Sequence, residues 1–447
     1  MAFDTAVFVL GLWIWSVRLQ DMSSSRSVRA SVYTTTCTSR SVGRHIGEAW
    51  SGGRGRGDEQ RITAVLTPPA YPAVCMHAQC TDRGKTRPSQ HIILKSHSRV
   101  GSMAAPALEV RRPRAAPFTA QWVVQAFAAV AFASYFFFWM IGVGVLALLA
   151  YFNVISTRAS FMIVTFYMAS LLVYKPQFNR GWYFGWFLYS PFVDWCLGYY
   201  DATAVREGDE IDPNGKYLFA MVPHGIFGVC RAFSGGSLWR SLYPGITARW
   251  GSFGGAFYLP GVREFSLCCG CLDAGRPTLT RAILRGENVM LLPGGSKELL
   301  LTDGGSTVTK LVLLDRTGFV RLAIEYGLDL VPGFCFGEKW AHDIVLLPQP
   351  LRRLLYHFRL AGAFLIGRWG TFVGKVSRDN GEPLSIGFVW GPPIKVEQQA
   401  APSAEYVAAI HAKYCAEIER IFETHKSRFG YAADETLELV SAKEKSK

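Results

Sequence analysis

Apolar and polar positions divide the chain into three zones. Residues 20–102 carry no long apolar period and are rich in Ser, Thr, Arg and Gly, as in Gly52-Gly-Arg-Gly-Arg-Gly57. Trp122–Tyr151 is the opposite, a run without a single charge. A bilayer core of about 30 Å needs only roughly 20 helical residues. The run is about 10 residues longer than that, so it can tilt, extend into the interface, or bend near Gly142 and Gly144. A second apolar run, Phe161–Tyr174, follows Asn153 and Arg158 and is short for a full span. The two together predict a hairpin that enters a membrane and returns. Arg111, Arg112 and Arg114 precede it, and Lys175 and Arg180 follow it. Basic residues on both flanks put both ends on the cytosolic side. Gly181–Tyr200 is crowded with Trp, Tyr and Phe. That suits a membrane interface or an aromatic core helix equally, and the two are compatible.

From Lys216 the pattern becomes that of an α/β domain. Tyr217–Met221, Val289–Leu292, Leu328–Phe336 and Ile386–Trp390 are short continuous apolar runs. Such runs read as strands buried on both faces. Gly318–Tyr326 has helical spacing and stops at Gly327. Ser403 is a good N-cap for a last helix. Val407, Ile410, Tyr414, Ile418, Ile421 and Phe422 mark its buried face, and Gly430 closes the segment. The expected fold class is α/β, a mixed sheet flanked by helices and anchored to a membrane by an N-terminal hydrophobic hairpin. The expected organisation is a disordered basic extension over 1–115, membrane segments over 116–176 and an aromatic interfacial region over 177–215. An α/β catalytic domain over 216–430 and a charged tail over 431–447 complete it.

Composition sharpens this division. The 447 residues are 50% hydrophobic and 18% charged, against about 25% charged in ordinary domains. With a mean hydropathy of +0.16, this argues against a simple soluble enzyme and against a mainly disordered chain. The net charge is +13, and residues 1–103 hold 13 Lys and Arg against 6 Asp and Glu, so more than half of it lies in the extension. Gly-Arg runs can bind RNA; the plainer reading is a flexible tail or an upstream extension, with Met103 a second plausible start. No nucleic-acid partner is expected. Ala6–Trp15 has the length of a signal peptide, but Asp4 stands where a cationic region belongs. The ten cysteines form no zinc-like spacing; Cys268, Cys269 and Cys271 are the one local group. Buried reduced thiols, facing a reducing compartment, fit best.

Two strand ends carry candidate chemistry. His224 follows a buried strand within Val222-Pro223-His224-Gly225. Pro223 restricts the backbone and Gly225 frees it, so the imidazole is held on a tight turn. Sites in open α/β sheets form beyond the carboxyl ends of strands, and a neutral imidazole there can take a hydroxyl proton. A turn histidine that caps a carbonyl is the alternative. Pro293-Gly294-Gly295-Ser296-Lys297-Glu298 follows another strand. Its glycines let a ligand approach the backbone and free amides for an oxyanion. Glu298 can orient His224, or it can simply favour the start of a helix. Other motifs fail. G-x-S-x-G breaks at Glu298, Lys310 lacks the P-loop spacing, H-E-x-x-H is missing, and the position four spacers beyond His224 is Val229 rather than Asp.

The blocks Tyr217–Gly225, Pro260-Gly-Val-Arg263-Glu264, Pro293–Glu298 and Arg316-Thr-Gly318-Phe319-Val320 occur in an order that resembles the diacylglycerol acyltransferase type 2 family. That family includes monoacylglycerol and wax-alcohol acyltransferases. Leu330-Val331-Pro332 through Phe336-Gly337-Glu338, Gly391-Pro-Pro-Ile394, and His411-Ala-Lys-Tyr414 through His425-Lys426 continue the resemblance, which covers about Trp122–Gly430. Two positions depart from the family's blocks: Val222 replaces the first His of His-Pro-His-Gly, and Thr317 replaces the Lys of Arg-Lys-Gly-Phe. The resemblance implies transfer of an acyl group from acyl-CoA, as co-substrate, to diacylglycerol, with no further cofactor and no metal. It implies His224 as the base, amides near Gly294 and Gly295 for the oxyanion, and Glu298 as partner of the imidazole. Pro223 and Gly225 shape the same turn. Arg263 and Glu264 organise the site or form a simple buried pair. Arg316 and Arg321 meet CoA phosphates or are solvated helix charges. An endoplasmic reticulum membrane, a lipid-droplet surface and a cytosolic catalytic domain are implied, and a homo-oligomer stays open. A monoacylglycerol, alcohol or sterol acceptor, or a droplet protein with a weakened site, is the alternative reading.

Overall fold

The computed structural model describes residues 107–224, 233–352 and 363–442. The extension over 1–106, Gly225 and Val229 lie outside the described residues.

The apolar runs form strands because both of their faces are covered. β1 (Ala107–Arg111) comes first, and then three apolar helices: α1 (Ala120–Ala133), α2 (Phe138–Tyr151) and α3 (Thr157–Val173). The shorter α4 (Pro191–Tyr199) leads into β2 (Thr203–Glu207) and β3 (Tyr217–Val222). β4 (Ala248–Ser252), α5 (Val262–Cys268), β5 (Leu272–Asp273) and β6 (Asn288–Leu291) follow. Then come α6 (Ser296–Leu301), β7 (Val308–Val312), α7 (Gly318–Tyr326) and β8 (Asp329–Phe336). After α8 (Glu338–Ala341), β9 (Asp343–Leu346) and β10 (Ala363–Ile366) pair with each other. β11 (Gly387–Trp390), α9 (Ala404–His425) and β12 (Thr436–Val440) end the described chain.

Eight strands form one mixed sheet in the order β1-β2-β11-β8-β3-β6-β4-β5. Its centre, β8-β3-β6-β4, is parallel. Every residue of β3 is buried. Tyr217, Phe219 and Met221 enter one core with Trp239, Trp250 and Trp390; Leu218, Ala220 and Val222 enter the other with α7 and α9. That alternation is the period of two of a strand covered on both sides. α9 starts at the expected cap, where Ser403 Oγ accepts the Tyr406 amide at 3.1 Å. Gly327 ends α7 with φ +64°.

The ends of the chain differ from the expectation. Residues 107–111 are not disordered: β1 runs antiparallel to β2 and pairs Val110 with Ala204. Within the charged tail after 431, β12 runs parallel to β7. Both segments are short and mixed in polarity, and their strand character comes from partners distant in sequence.

The apolar run from Trp122 is divided. α1 and α2 are bent by 88° about a short turn at Ser134–Phe137. α1 lies on the globular body: Ala128 and Ala129 are fully buried, and a Cβ on Gly198 of α4 would overlap the Gln125 side chain. The Gln125 carboxamide also bridges the Ala115 amide and the Pro113 carbonyl, at 2.8 and 3.1 Å. α2 has no buried residue, and α3 has only Ser160 and Leu171. Together with the turn that follows it, α3 (Thr157–Phe178) is long and apolar enough to cross a membrane. The arginines ahead of the run are engaged within the body. Arg111 pairs with Asp201 at 2.7 Å, Arg112 with Asp194 at 3.5 Å, and Arg114 donates to the carbonyls of Tyr199, Val376 and Leu384.

Candidate active site

β3 and β6 are parallel neighbours, with Ala220 opposite Leu291. Their carboxyl ends therefore reach the same rim of the sheet, one carrying Pro223-His224 and the other the turn at Pro293. The Val222–Pro223 peptide is cis. Past the turn, α6 brings Glu298 back beneath His224. The His224 amide donates to Glu298 Oε2 at 2.7 Å, and the Val312 amide of β7 donates to Oε1 at 2.9 Å. Glu298 thus braces the backbone of the histidine turn and ties β3, α6 and β7 into one unit. This positioning contact, through an amide, could not be read from spacing.

The glycines explain how the carboxylate fits. A Cβ on Gly294 would overlap the Glu298 carboxyl group, so glycine is a steric requirement there. Gly295 adopts φ +66°, a conformation that side-chain-bearing residues rarely take. Its amide is bonded to the Leu292 carbonyl at 3.2 Å. Of the two expected oxyanion donors, Gly295 is thus already engaged, and Gly294 is the stronger candidate.

Glu298 is 1% exposed. Burial pushes its carboxyl up to about 7, and the two amides and the Arg316 guanidinium pull in the opposite direction. Desolvation penalises the charged form more than these contacts reward it. Arg316 therefore lies within electrostatic reach of the site. It is half-buried, and among the described residues its Nε is buried without a hydrogen-bond partner. Arg321 lies one turn along α7, where its amide donates to the Thr317 carbonyl at 3.0 Å.

Arg263 and Glu264 stand elsewhere, at the junction of α5 with α3. Arg263 is buried, bonds Glu264 at 2.7 Å, and donates to the Ser170 carbonyl at 2.7 Å and the Ser170 hydroxyl at 2.9 Å. The Tyr167 hydroxyl donates to Glu264 Oε2 at 2.8 Å, and the Gly261 amide donates to the same oxygen at 2.9 Å. The pair is a clasp between the globular body and the exposed apolar helix. None of these contacts involves His224 or Glu298. Among the described residues no group of three His, Cys, Asp or Glu side chains is placed to hold a metal ion.

The order of blocks around this rim has a counterpart among known proteins. The family model for diacylglycerol acyltransferase matches residues 153–440, which spans α3, the whole rim and β12. The chain belongs to the diacylglycerol acyltransferase family. It is 29% identical over 260 residues to acyl-CoA wax alcohol acyltransferase 1 of Homo sapiens, covering 55% of this chain and 78% of that protein. It is 27% identical to 2-acylglycerol O-acyltransferase 1 of Mus musculus, over 56% of this chain and 85% of the relative. It is 26% identical to diacylglycerol O-acyltransferase 2 of Xenopus laevis, over 60% and 75%. No solved structure matches. Within the family, then, this chain is an acyltransferase, and relatives named for three different acceptors resemble it to a similar degree.

Proposed function

We propose that this enzyme transfers a fatty acyl group from acyl-CoA to the free hydroxyl of diacylglycerol, giving triacylglycerol and CoA. The observation that carries the reading is His224, held at the end of β3 by a buried glutamate, in a chain of this family. His224 takes the hydroxyl proton as the oxygen attacks the thioester carbonyl. The Gly294 amide donates to the oxyanion of the tetrahedral intermediate. Collapse expels the CoA thiolate, which receives the proton from the imidazolium. Arg316, with the nitrogen it has to offer, and Arg321 bind CoA phosphates. The thioester is already activated, so the reaction draws on no metal or redox group.

The membrane reading rests on exposure. Phe138, Ile141, Leu148, Phe161, Ile163, Phe166 and Val173 are all large, apolar and at least 45% exposed. At 1.5 Å per residue α2 is about 21 Å long and α3 about 26 Å; α2 falls short of a core of about 30 Å, and α3 reaches it only with the turn that follows. A hairpin that dips into one leaflet suits them, as does the single leaflet of a lipid droplet. Both ends of the hairpin join the same body, so the body lies on one side, in this reading the cytosolic face of the endoplasmic reticulum.

The test is expression in a host lacking triacylglycerol synthesis. The unaltered chain restores triacylglycerol. His224→Ala abolishes it while the protein stays in the membrane fraction; retained product would remove His224 from the mechanism.

A further inference from the structure

The sheet rim that carries His224 ends in two kinds of surface. β8, β3, β6 and β4 are parallel neighbours, so their carboxyl ends share that rim. On the β8 side of His224 the chain continues into Glu338 and Lys339, beside an open cleft of about 630 Å³. The cleft wall is charged, with Asp303, Lys310, Asp343, Lys375 and Asp379 in it.

The other side is apolar. β6 ends in Leu292-Pro293 and β4 in Phe253, and residues 253–262 include no charged side chain. Phe253, Leu259, Pro260, Leu292 and Pro293 are half-buried, and Tyr258 is exposed. Phe219, Met290 and Trp250 lie in register across β3, β6 and β4. Neighbouring strands are about 4.8 Å apart, so the exits of β3 and β4 stand about 10 Å from each other.

The stretch after β4 is also the foot of the apolar helices. Gly254–Tyr258 forms a short 3-10 turn that leads to Gly261. The Gly261 amide also donates to the Tyr167 hydroxyl of α3 at 2.9 Å. Gly261 adopts φ +75°, and a Cβ on it would press on the Tyr135 carbonyl, in the turn between α1 and α2. Past the end of α3, the Lys175 ammonium lies 5.6 Å from the centre of the Tyr258 ring. An uncharged track therefore runs from the exposed apolar side chains of α3, over residues 253–260, to Pro293 and the histidine turn. The charges that border it have their own engagements. Asp273 accepts the Gly275 amide at 2.9 Å, and Arg263 and Glu264 hold each other and α3.

We propose that the lipid acceptor reaches His224 from the side of the apolar helices, over the β4 end of the rim, and that Phe253, Tyr258 and Leu259 bind its acyl chains. This route presupposes His224 as the base and diacylglycerol as the acceptor, the reading given above. Drawing two acyl chains across the charged cleft would forfeit their burial methylene by methylene, whereas the β4 side keeps them against apolar surface. The hydroxyl end meets His224 while the chains trail back toward α3.

The test is photolabelling of the full chain in microsomes with a diacylglycerol that carries a diazirine in one acyl chain. Label falls within residues 253–260 and is displaced by excess unmodified diacylglycerol; label from bulk lipid on α2 and α3 is not displaced. Displaceable label in residues 303–310 or 340–346, on the cleft wall, or none in 253–260, overturns the proposal. Kinetics gives a second readout. Tyr258→Lys, at an exposed position beside Lys175, puts an unpaired charge in the track and raises KM for diacylglycerol by about 10-fold. KM for acyl-CoA stays within about twofold, since only acceptor binding is touched. Tyr258→Phe, which adds no charge, moves neither. A KM for diacylglycerol that Tyr258→Lys leaves in place, or an equal rise in both KM values, also overturns the route. An active His224→Ala enzyme would overturn the underlying reading, which is a separate result.

Discussion

Gly294 and Glu298 act as one device, since the carboxylate occupies the space a side chain on Gly294 would take. Gly294→Ala must displace Glu298 from the His224 amide; acyl transfer in microsomes should fall by about 100-fold or more, the scale on which lost preorganisation is felt. Glu298 also sets a pH dependence. Its carboxyl ordinarily titrates near 4.5 and in the folded protein near 7. Between these values the folded chain keeps a proton that the unfolded chain has lost. The contribution to stability is therefore complete below about pH 4.5 and declines as pH rises through about 7. Glu298→Gln should remove that decline, read as thermal unfolding midpoints across the range in detergent. His224 and Glu298 were legible in the sequence because Pro and Gly punctuate the ends of apolar runs. The bond that joins them was not, because it uses a backbone amide, and the second amide comes from Val312, brought in only by the fold.

α1 and α2 are equally free of charge and have opposite surroundings. Composition cannot separate a helix buried on protein from one exposed to lipid. What separates them is shape: Ala128, Ala129 and Gly198 allow close approach of α1 to α4, whereas α2 presents bulky side chains outward. The arginines ahead of α1 read as a flanking charge signal and are engaged within the body instead, Arg111 and Arg112 in ion pairs and Arg114 on backbone carbonyls. The central strands were legible because continuous apolar runs leave few alternatives. β1 and β12 were not, because five mixed residues become a strand only beside β2 and β7. The Arg263–Glu264 pair belongs to this scale. Arg263→Ala leaves the Ser170 carbonyl and the half-buried Glu264 without their cation, which loosens the hold of α5 on α3. Faster proteolysis within residues 152–156, the connection between α2 and α3, is the expected outcome; an unchanged cleavage rate would mean the clasp does not restrain the hairpin.

At the scale of the molecule, a two-faced core carries an acidic-flanked histidine on its sheet rim, and an apolar hairpin is clasped to the same body. The charge divides in the same way: +7 of the +13 lies in residues 1–103, and +6 is left for the body and hairpin. That modest positive balance suits an anionic membrane surface and an anionic thioester donor. Acceptor choice is where the relatives diverge: those named for wax alcohol, 2-acylglycerol and diacylglycerol are 29%, 27% and 26% identical to the chain. The most direct test supplies labelled acyl-CoA to microsomes containing the chain, with diacylglycerol, monoacylglycerol and a long-chain alcohol in competition. The account predicts label chiefly in triacylglycerol, and none with His224→Ala. Label in none of the three products, or the same label with His224→Ala, would contradict it.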